Sequence, residues 1–204
     1  METAFVLAWI EETAQRVAAA RDRLTELDAA IGDADHGANL DRGFSEVRRA
    51  LAESVPATPG EALTATGATL IRKVGGASGP LYGSFFRSMG KALQEGAGFP
   101  EAFAAGVVAV ERLGKAAAGD KTMIDALAPA SKALAAAVHE GLEPAEAFER
   151  AARAAADGAK ATIPLRARRG RASYLGERSI GHEDPGAASS ALIVAALGKA
   201  APSW

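Results

Sequence analysis

Cysteine is absent from this 204-residue chain. Disulfides, thiol nucleophiles, zinc–thiolate sites and iron–sulfur clusters are therefore excluded at the outset. A dominant charge is missing as well: 23 Lys and Arg stand against 25 Asp and Glu, a formal net charge of −2. That balance gives no electrostatic footprint for nucleic acid or an anionic membrane. Nor is there a long hydrophobic run. The apolar stretch Phe5–Ile10 sits among Glu2, Glu11 and Glu12, unlike the basic start of a signal peptide. The run around Val107–Val110 is far too short to cross a bilayer. A soluble, cytoplasmic protein with no nucleic-acid and no membrane partner is the expectation. With 49% hydrophobic and 24% charged residues, the composition is that of an ordinary globular protein. One domain over residues 1–204 is large enough to bury a core without staples.

Period-two alternation bounded by hairpin turns is also lacking, so the expected class is all-α, with about eight helices. Apolar residues recur at helical spacing through Phe5, Trp9, Thr13, Val17, Ala20, Leu24 and Leu27, read as one helix. A second, opening after Asp35, carries Leu40, Phe44, Val47 and Leu51 on one face. Thr58-Pro59-Gly60-Glu61 reads as a capping box with proline at the first helical position. That third helix stops at Gly75-Gly76. Ser78 is expected to cap a fourth, whose Gly79, Gly83 and Gly90 leave room for a close neighbour. Pro100 and Pro144 open two more on either side of a helix running from Met123 to Val138. Pro129 should kink that helix rather than end it, because the periodicity resumes beyond. Residues 164–184 read as one long irregular stretch, and Asp184-Pro185 starts the last helix. Short links between alanine-rich helices imply antiparallel neighbours.

The segment with the most chemistry is Asp28-Ala-Ala-Ile-Gly-Asp33-Ala-Asp35-His36-Gly37-Ala38-Asn39. Asp28, Asp33 and Asp35 fall within eight residues between two helical patterns. Like charges this close repel, and short Asp side chains on a glycine-softened backbone suit a hard cation such as Mg²⁺. Read one residue at a time, Asp28 could end a helix, Asp33 make a turn and Asp35 cap the next helix. Together with His36 and Asn39 they favour a metal site. An EF-hand loop is rejected, because Ala38 stands where its glycine is required and Phe44 where its bidentate Glu belongs.

Three further segments bear on the same chemistry. In Val74-Gly-Gly-Ala77-Ser78-Gly-Pro, glycines between two helices let backbone N–H groups approach a phosphate, although Gly-Gly also commonly ends a helix. Gly114-Lys-Ala-Ala-Ala-Gly-Asp120-Lys121-Thr122-Met123 imitates a P-loop, but Asp120 is inserted and no strand precedes it. A Walker mechanism is not expected there. The helix start near Thr122 could still line a nucleotide pocket, with Met123 against an adenine. The long stretch carries Arg166, Arg168, Arg169, Arg171 and Arg178, either a solvated surface or guanidinium forks for phosphates or an acidic partner. Of the histidines, only His36 is placed near a ligand. His139 reads as helix-end surface and His182 as loop support.

Taken together, Ile-Gly-Asp-Ala-Asp-His-Gly-Ala-Asn, Val-Gly-Gly-Ala-Ser-Gly-Pro-Leu-Tyr-Gly, Gly-Asp-Lys-Thr-Met and Gly-Arg-Ala-Ser-Tyr-Leu-Gly-Glu-Arg-Ser-Ile-Gly-His-Glu-Asp-Pro-Gly resemble the dihydroxyacetone kinase L subunit. The same domain forms the C-terminal half of ATP-dependent dihydroxyacetone kinases. The motifs run in order from Asp28 to Gly186, and the nearest departure is Glu183, where Gln would be expected. The resemblance implies an antiparallel eight-helix barrel with the nucleotide site at one end. It implies that Asp28, Asp33 and Asp35 hold two Mg²⁺ ions against the phosphates of ADP or ATP. Nucleotide contacts would come from His36, Gly37, Ala38, Asn39, Ala77, Ser78, Gly114, Met123, Arg171, Asp184, Pro185 and Gly186.

By the same resemblance, the partners are the K subunit, which holds dihydroxyacetone, and a phosphohistidine donor of the phosphotransferase system, the M subunit. Homodimer formation stays open. No protein nucleophile is implied, since phosphoryl transfer requires positioning and charge neutralisation. A lone domain favours the phosphotransferase-dependent form over a separately encoded ATP-dependent subunit. Two other classes remain beside it: a metal-dependent phosphoester hydrolase, marked by multiple turnover, and a non-catalytic module reporting nucleotide state.

Overall fold

The computed structural model describes residues 2–200. Among them are nine α-helices, one 3-10 helix and no strand. The α-helices are α1 (Thr3–Ala19), α2 (Arg21–Ile31), α3 (His36–Glu53), α4 (Pro59–Lys73), α5 (Ser78–Gln94), α6 (Phe99–Gly114), α7 (Ile124–His139), α8 (Pro144–Ala161) and α9 (Pro185–Ala200). The additional helix arises at Ala20. There the expected first helix bends into α1 and α2, while helical hydrogen bonds (Ala20 N–H to Arg16 O, Leu24 N–H to Ala20 O) run through the bend. No glycine or proline marks that point, so the pattern of apolar residues could not reveal it.

Local chemistry explains most of the remaining boundaries. Thr58 accepts from the Glu61 amide at 3.2 Å, and the Glu61 carboxylate accepts from the Thr58 amide at 3.3 Å, the reciprocal capping box of α4. α7 continues through Pro129 to His139. Ser78 differs from expectation. It is the first residue of α5 and makes no cap bond; its hydroxyl meets His36 Nδ1 at 3.1 Å instead. The stretch expected to be irregular also contains order, a 3-10 helix (Arg171–Ser179) bent at Gly176.

Packing follows a circuit. α1 packs on α3, α3 on α4, and so on in chain order to α9, which returns against α1. The indole N–H of Trp9 closes that last joint on the Ile193 carbonyl at 2.8 Å. All seven phenylalanines are buried, and their rings meet edge to face or stacked, as with Phe5 and Phe148 at 5.6 Å. The α4–α5 seam is the tightest. A Cβ on Gly83 would lie 2.8 Å from the Gly67 carbonyl oxygen, and one on Gly90 2.5 Å from that of Gly60. Small residues here let the two backbones touch. No described helix is long and apolar enough to cross a membrane.

One end of this arrangement collects helix termini. The C-terminal ends of α2 and α6, the loop after α4 and the N-terminal ends of α3, α5, α7 and α9 all contribute residues to a single cavity of about 250 Å³. Four helix N-termini at one space bring their partial positive charge together, a setting suited to anions.

Candidate nucleotide and metal site

The acidic turn between α2 and α3 is held open by Asp28. Its Oδ2 accepts from the backbone N–H groups of Asp35 at 2.9 Å and His36 at 3.2 Å. The cap of α3 thus comes from the preceding helix, whereas Asp35, in the cap position, makes no side-chain cap bond. Gly32 permits this, because a Cβ there would lie 2.0 Å from Asp28 Oδ1. Ala34 at the apex adopts φ +60°, a left-handed conformation seldom held by a residue with a side chain. One carboxylate oxygen each from Asp28, Asp33 and Asp35 fall within 4.8 Å of one another. Two oxygens on one Mg²⁺ lie at most about 4.2 Å apart at ligand distances near 2.1 Å. A small side-chain rotation would bring the three oxygens within reach of one such ion. The all-oxygen donor set fits a hard cation.

Across the cavity stands the glycine loop, with Gly76 at φ +66°. Asn39 lies behind it: a Cβ on Gly75 would come 3.0 Å from the Asn39 amide nitrogen. The Asn39 carbonyl oxygen accepts from Arg42 at 2.7 Å, and Arg42 also donates to Lys73 O at 3.2 Å, tying α3 to the end of α4. Gly37 serves the α2–α3 contact, since a Cβ would lie 2.0 Å from Arg21 O. His36, Ala77, Ser78, Gly114, Met123, Arg171, Asp184, Pro185, Gly186 and the three aspartates line the cavity. Gly37, Ala38 and Asn39 stand behind its wall.

His36 is buried and bonded on both nitrogens, through Nδ1 to Ser78 and through Nε2 to Ser189 Oγ at 2.8 Å. Burial holds its imidazole below the usual range, against the pull of Asp28 and Asp35. Ser189 in turn meets the Tyr82 hydroxyl at 2.6 Å, and Tyr82 donates to the Gly186 carbonyl at 3.1 Å. Burial raises the Tyr82 phenol, so it stays protonated. This chain of polar groups fixes the start of α9 relative to the glycine loop.

The remaining wall is the α6–α7 connection and the segment after α8. Asp125 turns back to accept from the amides of Gly119 at 2.5 Å and Thr122 at 2.7 Å. Asp184 accepts from the Ala187 amide at 2.7 Å, the cap of α9. Burial pushes its carboxyl up to about 7. The 163–184 segment packs Ala167 and Ala172 on Ile31, at the end of α2. Arg171 thereby reaches Asp33, 3.0 Å away. Sequence reasoning missed Lys121, Asp125, Tyr82 and Ser189. Lys121 and Tyr82 lie in motifs already noted and Asp125 just beyond one, but the partners of Lys121 are distant in the chain.

A family model described as the DAK2 domain matches residues 30–199. An ADP-binding subunit of PEP-dependent dihydroxyacetone kinase from Listeria innocua is 43% identical over 95% of this chain and 94% of its own length. Its counterpart from Escherichia coli is 41% identical, over 96% of each. Human triokinase/FMN cyclase is 33% identical, over 92% of this chain but 33% of the longer protein. Among solved structures, the dihydroxyacetone kinase of C. freundii in complex with AMP-PNP and Mg²⁺ superposes with a TM-score of 0.77 at 29% identity. That match covers 97% of this chain and 34% of the kinase. A matching domain model over most of the chain and end-to-end likeness to subunits of one kinase lead to one conclusion: the chain belongs to the DAK2 domain family, beside the ADP-binding subunits of dihydroxyacetone kinase.

Proposed function

We propose that the chain is the ADP- and ATP-binding phosphotransfer subunit of a dihydroxyacetone kinase. On this reading it takes a phosphoryl group from a phosphohistidine donor of the phosphotransferase system onto bound ADP. It then passes that group to dihydroxyacetone held on a K subunit. The observation that carries the reading is the convergence of three carboxylates and four helix N-termini on one cavity. Neither alone specifies a nucleotide, but a polyphosphate neutralised by divalent cations satisfies both.

Asp28, Asp33 and Asp35 would hold two Mg²⁺ ions, which neutralise phosphate charge when bound. The amides of Ala77 and Ser78 and the guanidinium of Arg171 would meet the phosphates, with Gly186, whose amide bonds the Asp184 carboxylate, lining the cavity beside them. Gly114 and Met123 would border the base, and Asp184 and Pro185 fix the helix start beneath it. Gly37, Ala38 and Asn39 would act from behind, by shaping the wall that His36 lines. The helix circuit, with α1 and α2 taken as one bent rod, supports an antiparallel eight-helix barrel as the frame, one domain over residues 1–204. A cytoplasmic setting follows from soluble partners of this kind.

The test is direct. The protein is purified without added nucleotide, and the extracted ligand is identified. Phosphoenolpyruvate and phosphotransferase components are then supplied. Retained ADP that converts to ATP supports the reading. Multiple turnover of phosphoesters by the isolated chain would instead favour a hydrolase.

A further inference from the structure

Lys121 is a lysine buried to 1% exposure in the wall of the cavity. A Lys in a Gly-Asp-Lys-Thr setting invites the idea that its ammonium meets phosphate. Its geometry is different. The Nζ donates to the carbonyl oxygens of Thr162 at 2.8 Å and Leu165 at 3.1 Å, to that of Ile163 at 3.4 Å, and to that of His182. An ammonium has three N–H donors, and here all are committed to backbone that enters and leaves one segment. Lys121 reaches this position with φ +61°, a left-handed conformation that a side chain disfavours. Burial lowers its proton affinity, and the carboxylates of Asp184 and Asp125 oppose that.

Between the outermost carbonyls it gathers, those of Thr162 and His182, lies nearly all of the 163–184 segment. Other ties run alongside. The Arg168 amide donates to Asp120 O at 3.0 Å, the Gly181 amide to Ile163 O at 2.8 Å, and the Ala167 amide to Ser179 Oγ at 2.9 Å. Removing the ammonium would take the donor from the Leu165 and His182 carbonyls, one near each end of this segment, while the Thr162 and Ile163 carbonyls keep the amides of Leu165 and Gly181. Unmade hydrogen bonds away from water are costly. Arg171 is carried on the segment, and its place over Asp33 depends on where the segment sits.

We propose that Lys121 is a positioning residue that clasps the two ends of the 163–184 segment and so sets Arg171 over the acidic turn. The proposal rests on the nucleotide reading of the cavity only for what Arg171 does there.

Two measurements on the full chain test it. Lys121→Met keeps the length of the stem and removes the donors. Hydrogen–deuterium exchange over residues 163–184 should rise in this variant, while exchange in the α4–α5 seam stays as in wild type. Unchanged protection of the segment overturns the proposal. Calorimetric binding of ADP with Mg²⁺ is then compared in wild type, Lys121→Met, Arg171→Ala and the double variant. A loss of about tenfold is expected for each single change, with the Arg171→Ala loss mostly gone in the Lys121→Met background. Fully additive losses, or an unaltered affinity in Lys121→Met, overturn it. Failure of wild type to bind ADP refutes the nucleotide reading instead, and exchange alone then decides the clasp. Should Lys121→Met not fold, Lys121→Gln is measured in its place, and the same outcomes support or overturn the clasp.

Discussion

The guanidinium of Arg171 and the carboxylate of Asp33 lie 3.0 Å apart across the mouth of the cavity. They come from elements far separated in the chain, and the Arg171 side chain is 67% exposed. Exposed pairs of this kind contribute roughly 0–1 kcal/mol to stability. The pairing therefore has little to do with holding the fold, and its place over the acidic turn is what matters. Arg171→Ala is expected to leave the thermal midpoint within a few degrees of wild type and weaken Mg²⁺-dependent ADP binding about tenfold or more. Thermal unfolding and calorimetry on the same preparation check both halves. A large fall in the midpoint with unaltered ADP affinity would reverse the assignment.

The three aspartates should separate by their second duties. Asp28 both faces the cavity and caps α3, so Asp28→Ala should cost about 1–2 kcal/mol of stability besides metal affinity. Asp33 and Asp35 have no such capping duty among the described residues. Without Mg²⁺, Asp35→Ala should relieve repulsion and leave stability equal to or slightly above wild type. Asp33→Ala should release bound nucleotide. Adding Mg²⁺ with ADP should raise the wild-type melting temperature by mass action and do so much less in all three variants. Melting curves with and without the ion provide the readout.

Much of this site was legible because its signals are local. Thr58, Pro59 and Glu61 mark a helix start by their order alone, and the clustering of Asp28, Asp33 and Asp35 that the sequence shows is the clustering of their carboxylate oxygens in the structure. What could not be read depends on distant partners. Asp35 occupies a cap position in sequence, yet the cap is supplied by Asp28, one helix earlier. Ser78 likewise reads as a cap until His36 is seen to take its hydroxyl. The bend at Ala20 has no breaker residue, and the order in Arg171–Ser179 comes from packing on Ile31 rather than from any helical pattern. Lys121 is the extreme case: the carbonyls it binds are about forty to sixty residues away.

The α4–α5 seam and the end of α9 give predictions of opposite sign at two glycines. Gly90→Ala places a methyl 2.5 Å from the Gly60 carbonyl oxygen and from Thr64 Oγ1. The helices must part, and overpacking of this kind costs about 1–3 kcal/mol, more than the roughly 1 kcal/mol that alanine offers a helix. Gly198, exposed in α9, would meet nothing within 4 Å if it carried a methyl. Gly198→Ala should therefore stabilise by about 0.5–1 kcal/mol. Urea denaturation distinguishes the two signs. A stabilised Gly90→Ala would mean that the seam has slack the close approach does not suggest.

Asp184 ties stability to pH. Its carboxyl titrates near 3.8 when unperturbed and is pushed up to about 7 in the fold by burial. Between those values the folded protein keeps a proton that the unfolded chain has released. Raising the pH through this window therefore favours unfolding. The penalty is absent below the unfolded value and complete above the folded one. Lys121 and the amide of Ala187 soften it, and Asp125 adds to it. Asp184→Asn keeps an oxygen to accept from the Ala187 amide and removes the titration. Without nucleotide or Mg²⁺, wild type and Asp184→Asn should differ little near pH 4. By pH 7 the variant should be the more stable, by an amount on the order of 1–4 kcal/mol. Urea denaturation at several pH values measures the gap. Parallel curves across the window would mean that Asp184 is ionised throughout, held by the neighbouring ammonium rather than resisted by its burial.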